Sequence, residues 1–269
     1  MTQASVNVPS FASFYDFYDG AEFRQDQLRM YSDLAAEIGT PILELACGTG
    51  IIAIELARKG IRVTGLDIDP DMLDAARRKL AGEDAQVRER VDLVEADMKE
   101  FDLGRTFHGI FIPTNSWGYL TKTADHRSCL QSVLRHLDDG GVLAIEENYY
   151  SPDDLARMAQ RRSIPTIQMA RVNPATERFT TFHWTTTHVD FEQQVIHSRR
   201  FIEEVQGDGA VRRYVPPGGG AVRKHFFNRF ELQLLLEQAG FQMNHLWGGY
   251  DRRPLGVHSR TMIFLAQKD

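Results

Sequence analysis

Cysteine is scarce in this chain. Two thiols in 269 residues, Cys47 and Cys129, with no C-x-x-C pair and no Cys/His spacing, exclude a disulfide framework and a structural metal site as the organising principle. Long apolar runs are missing as well, so no stretch reads as a membrane span. Met1 to Ser10 is polar without an apolar signal core, and the cytoplasm is the expected location. There is also no basic run. A formal net charge of -6 argues against nucleic acid as the main partner, and the doublets Arg161-Arg162, Arg199-Arg200 and Arg212-Arg213 read as solvated surface. What is present is ordinary for a folded protein: 42% hydrophobic residues in a length that suits one large domain, or one domain carrying an insertion.

The chain is organised around Ile42 to Gly50. An apolar run interrupted by Glu44 is turned by Gly48 and Gly50 into the helical pattern Ile51 to Arg58, which predicts strand, tight loop and helix. Glycines there let backbone approach a ligand, and the following helix points unpaired N–H groups at it. Gly48 to Ala53 also fits the dinucleotide fingerprint G-x-G-x-x-G/A, so the loop alone does not select a cofactor. Downstream, Arg62 to Asp67 reads as a second strand ending in a carboxylate 17 residues past Gly50, at a spacing suited to the hydroxyls of a ribose. Asp69 caps the next helix with Pro70 at its first position. Val91 to Met98 reads as a third strand delivering Asp97, Phe107 to Ile112 as a fourth leading into Asn115-Ser116-Trp117-Gly118-Tyr119, and Val142 to Glu146 as a fifth. Between the last two lies a helix, Asp125 to Leu137, that stops at Gly140-Gly141.

Strands and helices alternate, so an α/β, doubly wound sheet is the economical fold, with ligands above the carboxyl ends of its strands. The pattern then changes. Thr166 to Phe227 has no helical period and alternates as antiparallel strand around Thr181 to Val189 and Val195 to Glu204, with a turn at Gly207 to Gly209 and a loop at Pro216 to Gly220. His183 and His188 have opposite parity, so a regular strand aims at most one of them at a site below. A helix boxed by Asn228 and Glu231 and two final strands, Phe241 to Tyr250 and Arg260 to Ala266, close the chain. At the other end, aromatics crowd Phe11 to Tyr18, ahead of a helix whose apolar face runs Phe23, Tyr31, Leu34, Ala35 and Ile38; the segment suits either a docked helix or a lid.

The blocks Glu44 to Gly50, Gly65 to Leu73, Glu95 to Met98 and Leu137 to Leu143, in that order, resemble the class I S-adenosylmethionine-dependent methyltransferases. Within that family the aromatic N-terminus, Asn115 to Leu120 and the β insertion look most like small-molecule N-methyltransferases of natural-product and amino-sugar pathways and of the glycine N-methyltransferase type. The resemblance implies a Rossmann-like seven-stranded sheet with its last strand antiparallel, plus a small antiparallel sheet over the active site. It divides the chain into an N-terminal segment and helix on the substrate side (1–40), a cofactor-binding domain (41–163 and 228–269) and an inserted β roof (164–227).

S-adenosylmethionine would be the cofactor and S-adenosylhomocysteine its product. The resemblance implies that Glu44 holds the methionyl ammonium directly or through water, and that Ala46, Gly48 and Gly50 shape the loop. Asp67 takes the ribose hydroxyls, Asp97 and Met98 the adenine, Ile68 and Met72 close the adenine pocket, and Thr114 lines the methionine end. A nicotinamide dinucleotide would bring a pyrophosphate that Glu44 repels, which turns the choice away from an oxidoreductase.

Displacement at a sulfonium needs alignment and desolvation more than an acid. Tyr15, Tyr18, Asn115 and Tyr119 are the groups expected to align the reactants, and Trp117, Glu147, Asn148 and His183 to touch the acceptor, His183 only if its face looks down. Trp117 and Tyr119 lie beyond the strand end, which favours substrate contact over core cover. A small-molecule acceptor methylated on nitrogen is the expected reaction, with phenolic or carboxylic O-methylation and a non-catalytic binding role as the other readings. Homo-oligomerisation is left open.

Overall fold

The computed structural model describes residues 11–20, 24–160, 165–174, 176–216 and 220–268. Phe23, Arg161-Arg162, Pro217 to Gly219 and the expected boundary at 163/164 lie outside the described residues. Helices α1 (Phe11–Asp19) and α2 (Gln25–Ile38) precede β1 (Ile42–Leu45), α3 (Ile51–Arg58), β2 (Val63–Asp67), α4 (Pro70–Ala81), α5 (Ala85–Arg88), β3 (Val91–Glu95) and β4 (Phe107–Ile112). Next come α6 (Thr123–His136), β5 (Leu137–Asn148) and α7 (Pro152–Gln160). The strands β6 (Thr166–Asn173), β7 (Arg178–Asp190), β8 (Val195–Val205), β9 (Val211–Tyr214) and β10 (Ala221–His225) follow, and α8 (Arg229–Gln238), β11 (Phe241–Trp247) and β12 (Thr261–Lys268) end the chain. Among the described residues no helix is long and apolar enough to cross a membrane.

The larger sheet has seven strands in the order β11-β12-β5-β4-β1-β2-β3, with β12 antiparallel to both of its neighbours. Strand order reverses between β1 and β4, and the crevice above their carboxyl ends is where such sheets bind ligands. Central strands are covered on both faces, which is why β1 and β2 are buried throughout. Leu43, Leu45, Ile110 and Ile145 pack with α6 and α8, whereas Ile42, Phe111 and Ala144 pack with α2 and α3. Alternation along β1 and β5 therefore sends Glu44 and Glu146 to the α2/α3 side, and Glu147 to the other.

Three boundaries differ from the sequence reading, each for a local reason. The third strand stops at Glu95 because Asp97 folds back to accept from the Lys99 N–H (2.9 Å). The fifth begins at Leu137, pairing with Phe107, and carries Gly140 (φ +73°) as a bend inside the strand instead of a helix stop. β11 ends at Trp247, ahead of Gly248-Gly249. Both expected caps are present: Asp69 accepts from the Asp71 N–H (2.9 Å), and Asn228 and Glu231 close a capping box.

Strands β6 to β10 form a second, antiparallel sheet ordered β10-β8-β7-β6, with β9 also on β8. Its inner face carries Phe182 and Ile202, which pack on Phe14 of α1 with Phe11, Tyr18 and Tyr214 around them. The N-terminal helix is thus clamped between the two sheets. On its other side Asp16 accepts from the Thr49 hydroxyl in the glycine loop and meets Lys79 Nζ of α4 at 2.7 Å.

Candidate active site

The loop after β1 is shaped by backbone geometry. Ala46 (φ +54°), Gly48 (φ +56°) and Gly50 (φ +74°) all take left-handed conformations, and a Cβ built on Gly48 would meet nothing within 4 Å. That open space belongs to a cavity of about 580 Å³. Asp67 Oδ2 accepts from the Gly48 N–H (2.7 Å) and Oδ1 from the Asp69 N–H (2.9 Å), so the carboxylate at the end of β2 pins both the glycine loop and the turn into α4. Burial raises its carboxyl above the usual range. The exposed side chain of Ile68, with Met72 and Met98, makes an apolar slot beside Asp97, whose Oδ2 lies 3.2 Å from Lys99 Nζ.

Of the expected site residues, Ala46, Gly48, Asp67, Ile68, Met72, Asp97 and Met98 line this one cavity. Tyr15 of α1 and Tyr119 beyond β4 line it too, together with Arg200 of β8 and Arg223 of β10. The inserted sheet therefore does stand over the crevice.

Glu44 lies behind the wall, on the α2 side. It is 2% exposed, its Oε2 has no hydrogen-bond partner, and burial pushes its carboxyl up to about 8 despite the nearby Arg24. Gly50 is the N-cap of α3, with Ala76 against it. Thr114 (φ +59°) and Asn115 (φ +56°) are consecutive left-handed residues, a strained corner of the kind that clusters at functional sites. Thr114 is also a post: its hydroxyl accepts from Arg24 Nη1 (3.1 Å) and Gln27 Nε2 (3.3 Å), while Arg24 Nη2 donates to the Tyr15 hydroxyl (2.8 Å).

These residues fit a ligand that has an ammonium, a carboxylate, a diol and a flat ring. The unpartnered Glu44 oxygen with Arg24 near it lies behind the wall, while Asp67 and the Ile68/Met98 slot with Asp97 line the cavity itself. Arg24 and Asp16 escaped sequence reasoning. Each sits outside any motif, and its tie to the site is a contact made tens of residues away, Arg24 to Thr114 and Asp16 to Thr49.

Six expected contacts need correction. Trp117 is fully buried, stacked on Phe227 (centroids 5.1 Å apart, planes at 11°) within the core under α6 and α8. A short 3-10 turn rotates it inward while exposing Tyr119. The variant Trp117→Phe is expected to cost about 1 kcal/mol in denaturant unfolding and to leave ligand affinity unchanged; a changed affinity with unaltered stability would restore its substrate role.

Glu147 is 3% exposed and accepts from the Gly118 N–H (2.8 Å), with Lys224 nearby; burial raises it to about 8. Its neighbour Glu146 lines a separate cavity of about 640 Å³ together with Asn115 and Asn148, which the expectation had put with the reactants and which are absent from the wall of the cavity under the inserted sheet. There it accepts from Gln27 (2.8 Å), Tyr31 (3.1 Å) and Tyr250 (2.7 Å).

His183 stacks on Phe201 (4.4 Å) and meets Glu203 on the outer face of the inserted sheet. A register shift between Thr186 and His188 pairs His188 with His197, which puts both histidines on that outer face. Tyr18 lies 4.0 Å from the Phe182 ring, among the residues that dock α1, and is not on the cavity wall.

A family model described as a methyltransferase domain matches residues 42–141. The Bacillus subtilis protein YqeM, which carries a provisional methyltransferase name, is 26% identical over 265 residues, or 96% of each chain. The dTDP-3-amino-3,4,6-trideoxy-alpha-D-glucopyranose N,N-dimethyltransferase of Streptomyces venezuelae is 32% identical over 115 residues, covering 43% of this chain and 45% of its own. Among solved structures, the CcbJ methyltransferase from Streptomyces caelestis superposes with a TM-score of 0.74 at 21% identity, over 97% of both chains, a likeness of fold.

Proposed function

The chain is a class I S-adenosylmethionine-dependent methyltransferase akin to the natural-product amino-sugar N-methyltransferases, and from that premise we propose that it methylates an amine nitrogen on a small, amino-sugar-like acceptor. The observation that carries this reading is the single cavity whose floor is Gly48, Asp67 and Asp97 and whose walls and roof are Tyr15, Tyr119, Arg200 and Arg223. A roofed space of this size suits a small molecule better than a polymer laid across an open groove.

Bound S-adenosylmethionine supplies a methyl group activated on a positively charged sulfur. The chain's part is alignment and exclusion of water. In our assignment Glu44 and Arg24 hold the amino-acid end, Asp67 the ribose hydroxyls, and Asp97, Ile68, Met72 and Met98 the adenine. That leaves Tyr15 and Tyr119 around the reacting end. Arg24 Nη2 donates to the Tyr15 hydroxyl (2.8 Å), which holds the Tyr15 ring in place on the cavity wall.

Lys224 Nζ donates to the Asn115 carbonyl (2.9 Å) and sits 4.2 Å from the Tyr119 ring centroid. This fixed cation disfavours an acceptor ammonium and so favours the neutral amine that can attack. The amine proton released after transfer goes to water.

The reading is tested by incubating the protein with S-adenosylmethionine carrying an isotope-labelled methyl group and a panel of amino sugars and their hydroxyl analogues. Label on nitrogen, with S-adenosylhomocysteine released in equal amount, is the expected result. Label on oxygen only would replace it with O-methylation.

A further inference from the structure

Polar residues interrupt the core-facing side of α2. Arg24, just before the first turn, then Gln27 and Tyr31 recur at helical spacing, and all three are buried where the helix passes the carboxyl ends of β4 and β5. What Gln27 and Tyr31 meet there is Glu146. Its Oε2 accepts from Gln27 Nε2 (2.8 Å) and from the Tyr31 hydroxyl (3.1 Å), and its Oε1 accepts from the Tyr250 hydroxyl (2.7 Å).

No cation answers that carboxylate. All three donors are neutral and Glu146 forms no ion pair with a described residue, whereas buried Glu204 has Arg178 3.6 Å away and Glu147 has Lys224 nearby. Burying a carboxylate with neutral donors alone carries a desolvation cost that an apolar side chain of similar size avoids, so stability does not account for it. Its connections supply another reason.

Glu146 is the fixed end of a hydrogen-bonded chain that finishes on the cavity wall. Gln27 Nε2 also donates to the Thr114 hydroxyl (3.3 Å), Thr114 accepts from Arg24 Nη1 as well (3.1 Å), and Arg24 Nη2 donates to the hydroxyl of Tyr15, a wall residue (2.8 Å). Glu146 grips the same corner a second time, because its backbone carbonyl accepts from the Asn115 N–H (3.2 Å). Thr114 and Asn115 are both left-handed, a conformation that persists only where the surroundings over-determine it. A guanidinium held at both terminal nitrogens has its plane fixed before any ligand arrives.

We propose that Glu146 is a positioning residue for the cofactor: through Gln27 and Thr114 it sets the Arg24 guanidinium that receives the amino-acid end of S-adenosylmethionine, and so limits where the sulfonium can lie. The proposal rests on Arg24 and Glu44 holding that end. Glu146 itself acts only through its neighbours.

Two ligands separate positioning from folding, and neither requires turnover. S-adenosylhomocysteine carries the ammonium and the carboxylate; 5′-methylthioadenosine keeps adenine, ribose and thioether without them. Calorimetric titration of the unmodified protein is expected to favour S-adenosylhomocysteine by at least about tenfold. Glu146→Gln, which removes the charge and puts an amide nitrogen among donors, and Gln27→Leu, which cuts the chain beside it, should each weaken S-adenosylhomocysteine by about tenfold while 5′-methylthioadenosine changes by less than about twofold. Both act along one path, so the double variant should bind about as well as the weaker single one.

A loss of both ligands in equal measure, or a ratio that Glu146→Gln leaves untouched, makes Glu146 a support of the fold and overturns its positioning role. If Glu146→Gln does not fold, Tyr250→Phe decides, since it takes one donor from Oε1 and leaves the chain from Gln27 to Tyr15 intact. The ratio should then drop by about threefold, and an unchanged ratio overturns the proposal. Equal affinity for the two ligands in the unmodified protein would instead sink the assignment of the amino-acid end to Arg24 and Glu44, a failure visible before any variant is made.

Discussion

Asp67→Ala is expected to weaken S-adenosylhomocysteine binding by about a hundredfold, from the charge-assisted hydrogen bonds one carboxylate makes to a pair of hydroxyls. The structure adds a second reason. Asp67 is also the acceptor for the Gly48 and Asp69 N–H groups, so its loss frees the glycine loop and the turn into α4 together. A cradle that must be ordered by the ligand binds more weakly than one already held. Asp67→Asn separates the two effects, because the amide oxygen can still accept from one N–H group while the charge is gone. Calorimetric titration with S-adenosylhomocysteine is the measurement. Unchanged affinity in Asp67→Ala would place the ribose elsewhere and undo the assignment of the whole cavity floor.

What the sequence made readable was local. Glu44, the glycines, Asp67 and Asp97 each sit at a strand end whose position follows from an apolar run and a turn signal, and a parallel sheet lines up such ends above one crevice. What it hid depended on facing and distance. Which way Glu147 faces is not marked by periodicity, since β5 is buried on both faces and carries no polar side to mark its parity. His183 and His188 needed the register shift after Thr186, which the Thr-rich run of β7 does not announce. Trp117 turned on a three-residue 3-10 turn. Arg24 reaches Thr114 across 90 positions, and Arg200 lines the same cavity as Asp67 from a different sheet.

The affinity for S-adenosylhomocysteine is expected to climb with pH by up to about tenfold per unit, levelling off near 8, because binding re-ionises Glu44. In the ligand-free protein burial raises this carboxyl from 4.5 to about 8, so near neutral pH it is mostly protonated. An ammonium brought to its unpartnered Oε2, directly or through one water, favours the carboxylate, and the displaced proton is released to solvent. Folding runs the other way. Between the ordinary carboxylate value and about 8 the native state holds a proton that the unfolded chain has lost, so stability of the ligand-free protein falls as pH rises through that window. Glu147, also raised to about 8 but away from the cavity wall, contributes to the stability slope and not to the affinity slope. Asp67 is raised as well, so its protonation adds to the loss of affinity at the acid end. Glu44→Gln isolates the effect: the affinity slope should flatten near neutral pH while the part of the stability slope owed to Glu147 persists. Titrations in buffers of differing ionisation enthalpy count the released protons directly. Zero net release near neutral pH in the unmodified protein would mean that the ligand ammonium is held by something other than Glu44.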